Sequence, residues 1–367
     1  MESMSIVTQC NLCVNGSPSI GSNGGAGKMK KIYLIWIGVV FLVLAAAGYA
    51  GSRMTEPQPY QETRFLMDTV IEITAYGPSA GAAVQTAFSD FERIQALSDH
   101  FDPASQVAEI NRMAGVSPVT VTPELLTIIE AALQLAEKTD GAFDITVGAL
   151  TELWRIGHPD QGVVPSQTEI DQVLPLVGYK NVVIDSAKHT VFLAKSGMKL
   201  DLGGIAKGYA INKAIETLTA YGITSALINA GGDVRIIGTK PDGIPWRVGI
   251  QHPRDPDAVV AKVTLKNWDT METSGDYQRY FLKDGVRYTH ILNPKTGRPP
   301  SELASVTIVY RDHDSHLITS SAFMVLGTEK GLQILARFPG AEAIFVTVDG
   351  QITASPNLAS AIVKTAQ

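Results

Sequence analysis

Cysteine is nearly absent from this chain: two occur in 367 residues, Cys10 and Cys13, and none follows. That excludes an internal disulfide, a thiol nucleophile and a lipidated cysteine from everything beyond residue 13. The Cys-x-x-Cys pair itself sits in a Ser-, Asn- and Gly-rich tail without partner cysteines, and is taken as incidental. Basic clusters interleaved with aromatics are also missing. With 30 Lys and Arg against 36 Asp and Glu, the net charge of −6 argues against nucleic acid as a partner. Neither a Walker loop nor a Gly-x-Gly-x-x-Gly fingerprint occurs, and no internal repeat is found after residue 60. Only 18% of residues are charged while 45% are hydrophobic, the balance of a folded globular protein with an apolar excess.

That excess is the run from Ile32 to Ala50, preceded by Lys28, Lys30 and Lys31. Its length approaches the ~20 residues a helix needs to cross a bilayer. Flanking lysines place the N-terminal side in the cytoplasm, so the bulk of the chain is expected outside it. Small residues at Ala45-Ala46-Ala47 and Gly48-Tyr49-Ala50 leave a cleaved signal peptide open, with an uncleaved membrane anchor favoured. Residues 1–28 are expected to be a disordered extension ahead of a start at Met29, 29–51 the anchor or signal, 52–60 a linker, and 61–367 one folded domain.

Patterning beyond residue 60 is mixed. A β-branched run is expected from Thr63 to Tyr76, and helices over Ser79–Leu97, Pro123–Thr139 and Ser166–Leu174. Thr122 is the expected cap of the second, with Pro123 in its first turn. After short strands near Val182–Ile184 and Val191–Ala194, Ile205 to Leu218 carries helical spacing. Strands are then expected at Ser225–Asn229, Val234–Gly238, Trp246–Gln251, Val259–Leu265, Tyr277–Leu282, Val286–His290 and Val306–Tyr310, with a hairpin turn at Lys283-Asp284-Gly285. Helices over Ser315–Leu326 and Glu329–Phe338 precede a last hairpin, Ala343–Val348 and Ile352–Ala354. Without strict alternation of strand and helix, the fold class is α+β, helices packed on antiparallel or mixed sheets.

Six segments stand out as ligand loops. Asp201-Leu-Gly-Gly-Ile-Ala-Lys207-Gly opens a helix, so glycine backbone, first-turn N–H groups, a cation and a carboxylate share one mouth. Gly141 to Gly148 sets Phe143 and Asp144 just after a helix; a buried Phe at a helix C-cap would look the same. Asn229 to Asp233 matches a tight turn, and Glu272 to Tyr277 is either a phosphate-binding run or a bulge. His290 to Pro299 places a histidine beside Asn293, Thr296 and Arg298. Met67-Asp68-Thr69 is the weakest, equally readable as strand interior.

Taken in order, these segments resemble the FAD:protein FMN transferase (ApbE) family. They read M-D-T at 67–69, G-A-F-D-I-T-V-G-A-L at 141–150, D-L-G-G-I-A-K-G-Y at 201–209, A-G-G-D at 230–233, T-S-G-D-Y at 273–277 and H-I-L-N-P-K-T-G-R-P at 290–299. The resemblance implies an exported, Mg²⁺-dependent enzyme that transfers FMN from FAD to a Thr or Ser hydroxyl of an acceptor redox protein, releasing AMP. It implies that Met67, Phe101, Ala142, Phe143, Asp144, Asp201, Lys207 and Thr273 meet FAD. It further implies that the Gly204 carbonyl and Ser321 face the metal, and that His290 serves the transfer step. The chain carries no acceptor segment of the D-x-x-[ST]-G-A-[ST] kind. One departure stands out: Leu317 occupies the position of the family's metal-binding Asp, with Asp312, Asp314 and His316 nearby as substitutes. Loss of that charge leaves two alternatives open, a flavin-binding protein without transfer activity and an FAD pyrophosphatase.

Overall fold

The computed structural model describes residues 58–156, 162–311, 318–358 and 362–364. The apolar run at 32–50 and the stretch holding Asp312, Asp314, His316 and Leu317 lie outside the described residues. The described segments belong to the unit Pro57–Gln367. Among them, no helix is long and apolar enough to cross a membrane.

An eight-stranded antiparallel sheet organises the fold. Its strands are β1 (Tyr60–Leu66), β2 (Thr69–Ala75), β6 (Ala226–Ala230), β7 (Asp233–Ile237), β10 (Thr270–Gly275), β13 (Leu303–Tyr310), β14 (Glu342–Thr347) and β15 (Ile352–Ala354), adjacent in that order. One face is covered by α1 (Ala80–Ser98), α6 (Gly203–Ala220) and α7 (Ser320–Leu335), with α3 (Pro123–Lys138) packed on α6; together they bury Phe88, Phe91, Ile128, Ala210 and Phe323 in one core with Ile71, Ile228 and Val306 of the sheet. The other face meets β8 (Trp246–His252) and β9 (Asp255–Leu265), through Trp246, Ile250 and Val263 against Val234, Met271 and Val309. β9 also pairs with β16 (Ile362–Lys364), while β3 (Val119–Thr120), β5 (Thr190–Leu193) and β4 (Val182–Asp185) form a small separate sheet. The α+β expectation holds, with antiparallel pairing throughout the named strands.

Several boundaries differ from expectation, each for a local reason. The Thr63–Tyr76 run is two strands, because Met67 (φ 52°) and Asp68 (φ 56°) both take the left-handed conformation of a two-residue hairpin turn. Met67 is therefore a turn residue and not strand interior, and β1 begins inside the expected linker. The Glu272 segment is neither loop nor bulge but the central strand β10, and Tyr277 falls between it and β11 (Tyr280–Lys283). The helices expected at Ser315–Leu326 and Glu329–Phe338 are matched by two helical segments within Ser320–Leu335, divided at Gly327 (φ 75°), whose backbone is not helical. A Cβ there would lie 2.2 Å from the Glu302 carboxylate, whose other oxygen accepts from Thr328 N at 2.8 Å. The short helix α2 (Gln106–Arg112), capped by Ser105, was not anticipated.

A satellite core supports the ribbon of β11 and β12 (Val286–Thr289). Leu150 and Trp154 of α4 (Gly148–Trp154) pack with Leu292 and with Ile170 of α5 (Gln167–Val173). Trp154 lies 5.6 Å from Tyr288, which stacks on Phe281 at 5.2 Å, and its indole N–H donates to Gly297 O at 2.7 Å. Trp154 is fully buried, so Trp154→Ala should lower the unfolding free energy by about 3–5 kcal/mol. Urea denaturation checks this; a loss below about 0.5 kcal/mol, typical of a surface change, would contradict the packing.

Candidate active site

The site is assembled by backbone that runs side by side before it reaches a helix. Residues 145–148 and 199–201 are joined by Asp201 N to Ile145 O (2.8 Å), Gly148 N to Lys199 O (3.1 Å) and a parallel bridge between Val147 and Lys199. The Asn111 side chain completes this pairing, donating to Leu200 O at 3.0 Å and accepting from Leu200 N at 2.6 Å. Phe143 is thereby laid against Gly204 in the first turn of α6. A Cβ at 204 would stand 2.9 Å from the Phe143 ring and 3.9 Å from Ser321 Oγ. Three residues expected at the site, Phe143, Gly204 and Ser321, thus meet, and glycine is required where they do.

The N-termini of α6 and α7 converge over a cleft lined by Gly204, Lys207, Asp233, Glu272, Ile318 and Thr319. Their aligned dipoles favour negative charge at that point. Asp201, one residue before the Leu202 N-cap of α6, accepts from Gly203 N at 2.9 Å, and its other oxygen accepts from Thr151 Oγ1 at 3.1 Å. Lys207 Nζ sits 2.7 Å from Asp233 Oδ2 and donates to Ala230 O at 3.2 Å. Asp233 ends the β6–β7 turn, where Gly231 and Gly232 both have positive φ. Burial pushes its carboxyl up from the ordinary range, against the opposing Lys207 charge and a bond from Thr273 N.

Glu272 is the site residue that sequence reasoning passed over. It was visible only as the first member of a polar run; its place depends on β10 lying between β7 and β13. One carboxylate oxygen accepts from Ser320 N at 2.8 Å and Ser320 Oγ at 3.1 Å, at the start of α7. Burial, followed by the Asp233 charge, raises its pKa from 4.5 to about 8. The oxygens of Glu272, Asp233, Thr319 and Ser321 make a hard donor set, the type that Mg²⁺ takes. Among the described residues no three His, Cys, Asp or Glu side chains cluster as metal ligands, so a cation here would lean on hydroxyl and backbone oxygens as well.

Other expected contacts are placed differently. Strand alternation turns Thr273 to the opposite face of β10 from Glu272, and its hydroxyl bonds Thr307 Oγ1 at 2.9 Å. Its backbone N–H, not its hydroxyl, serves the site, by holding Asp233. Asp144 is buried with both oxygens engaged: Oδ1 accepts from Thr146 N and Oγ1, Oδ2 from Tyr179 N. It fixes the loop that carries Ala142 and Phe143, both buried. Phe101 is 62% exposed, with its ring 4.0 Å from that of His100, whose Nδ1 lies 3.8 Å from Asp201.

His290 follows β12. Its backbone N–H donates to Arg279 O at 3.0 Å and its Nδ1 meets the same oxygen at 3.2 Å. A carbonyl only accepts, so Nδ1 carries the proton and Nε2 keeps its lone pair. Desolvation first, and then the Arg279 charge, lower its pKa from 6.5 to about 4. The imidazole is neutral at physiological pH and suited to accept a proton.

The ApbE family profile matches residues 67–345. This chain belongs to the ApbE family. A FAD:protein FMN transferase from Treponema pallidum is 35% identical over 351 residues, covering 90% of this chain and 96% of that protein. One from Klebsiella pneumoniae is 35% identical over 304 residues, covering 82% and 93%. Among solved structures, the ApbE protein of Thermotoga maritima superposes with a TM-score of 0.77 at 38% identity, over 83% of this chain and 99% of that one. The apo flavinyl transferase ApbE of Pseudomonas stutzeri gives 0.71 at 31% identity, over 84% and 98%.

Glu272 gives this ApbE chain a pH signature. Its folded pKa stands above its unfolded value, so the folded state binds the proton more tightly. The stability it contributes is complete below pH 4.5 and is lost as pH rises through about 8. In metal-free protein, Glu272→Gln should flatten the fall in melting temperature between about pH 5 and about pH 8.5. Identical slopes in the two proteins would remove Glu272 as the titrating group.

Proposed function

We propose that this chain transfers FMN from FAD to a Thr or Ser hydroxyl of an acceptor redox protein and releases AMP. The observation that carries the reading is His290, neutral and with its Nε2 lone pair left as an acceptor, in a chain whose relatives are named FAD:protein FMN transferase. In the proposed step the acceptor oxygen attacks the FMN phosphorus while its proton passes to His290 Nε2. A new P–O bond forms, the anhydride P–O bond breaks, and AMP leaves with the electron pair. The paired helix N-termini and Lys207 would spread the charge of the diphosphate. Phe143, with Met67 and Phe101, would border the flavin nucleotide.

The donor set fits Mg²⁺. Gly204 O, Ser321 Oγ and the Glu272 carboxylate would hold it, Glu272 supplying the charge that Leu317 does not. Bound there, Mg²⁺ would neutralise developing charge on the phosphate oxygens. This favours transfer over the non-catalytic flavin-binding reading that Leu317 raised. The membrane-tethered, extracytoplasmic location is proposed from Ile32–Ala50 and its lysine flank.

His290→Ala should reduce transfer by at least about 100-fold, the lower range for a lost general base, while FAD affinity by flavin fluorescence stays within about twofold. Transfer at the unaltered rate would end the assignment of His290. At saturating Mg²⁺, the His290 limb of kcat/KM should fall near pH 4 and not near 6.5.

A further inference from the structure

His290 and Met67 lie far apart in sequence, on two different hairpins, and one residue touches both supports. Tyr280 and Thr289 are the last paired residues of the β11–β12 ribbon, so Arg279 stands opposite His290 at its open end. The Arg279 carbonyl takes both the backbone N–H and the Nδ1–H of His290. The side chain of the same residue leaves in another direction: its Nη2 donates to Asp68 O at 2.8 Å, and Nη1 lies 3.9 Å from the Asp68 carboxylate. Asp68 O belongs to the Met67-Asp68 turn, whose two left-handed residues make it a strained two-residue connection. That turn is held on its other side by Met67 N donating to Gln95 Oε1.

We propose that Arg279 is a positioning residue that braces the proton-accepting histidine against the Met67-Asp68 turn. Its backbone selects the His290 tautomer and its side chain locks the distance between the two hairpin ends. The guanidinium adds to burial, the larger cause, in disfavouring the charged form of His290. The charged groups facing His290 are Arg279 from the opposite strand, Lys207 from α6 and Asp201 just before α6; Arg279 and Lys207 disfavour the imidazolium and Asp201 favours it. Of the two cations, Arg279 has the larger effect. The brace therefore couples geometry and charge: a base aimed at the acceptor stays unprotonated while flavin-side backbone is held in register with it. A misplacement of about 1 Å at such a base is enough to cost roughly 100-fold in rate.

The kinetic part rests on the transferase reading; the structural part does not. Arg279 is half exposed, so Arg279→Ala leaves the core intact, and circular dichroism confirms the fold. The His290 titration is followed by NMR in the full chain, its resonance assigned by its loss in His290→Ala. In Arg279→Ala the midpoint should rise from about 4 but stay below 6.5, because burial still lowers it, and kcat with FAD, Mg²⁺ and a Thr-bearing acceptor should fall roughly 10- to 100-fold. Arg279→Lys, which keeps the charge and one donor, should return the midpoint and most of the rate. An unmoved midpoint or an unmoved kcat in Arg279→Ala overturns the proposal. If the unaltered chain transfers nothing, the transferase reading falls, and the midpoint alone decides the brace.

Discussion

The contact between the partly exposed Lys207 and the buried Asp233 is the constraint on which the site depends. It joins three elements that are remote in sequence: the first turns of α6, the turn between β6 and β7, and, through Thr273 N, the strand β10. Such an ion pair is poor evidence for stability, because the Asp233 charge is largely stripped of water while Lys207 stays partly exposed. It is better evidence for specificity. Either partner alone would be an uncompensated charge at a cleft that two helix N-termini already polarise. With both present, Lys207 stays aimed at the cleft and Asp233 raises the proton affinity of Glu272 beside it. The cleft is thus set to favour negative charge from a ligand over negative charge from its own wall.

The second organising fact is alternation along β10. Glu272 and Ser274 reach α7, where Ser320 bonds both. Met271 and Thr273 face the other way, toward the β8–β9 layer and Thr307. One strand therefore serves as floor of the site and as part of the second core. A slip of one residue would exchange the two sets. Pairing with β13 over all six residues, Thr270 to Gly275, prevents it.

How much of this was legible in the sequence varied with the range of the interactions. Helices α1 and α3 followed from apolar spacing and, for α3, the Thr122 cap, both local signals. The glycine motif at 203–204 was legible as a local pattern, and at Gly204 the structure gives it a steric cause, the Phe143 ring. Met67-Asp68 was misread since nothing in M-D-T announces a turn of non-glycine residues with positive φ; the strain is borne by tertiary contacts from Gln95 and Arg279. Glu272 was passed over and the facing of Thr273 could not be read, because a strand's facing is set by its neighbours. Arg279 escaped notice for the same reason: its importance lies in the pairing of a ribbon and in a contact 211 residues away.

In the proposed reaction these parts work together as a phosphoryl transfer site that uses a protein hydroxyl. Intact mass spectrometry tests it most directly, with the chain mixed with FAD, Mg²⁺ and a protein bearing a Thr-containing flavinylation segment. The account predicts one FMN added per acceptor and one AMP released per adduct, both dependent on the cation. AMP released with the acceptor mass unchanged would show water taking the place of the hydroxyl. FAD bound with neither product formed would contradict transfer altogether.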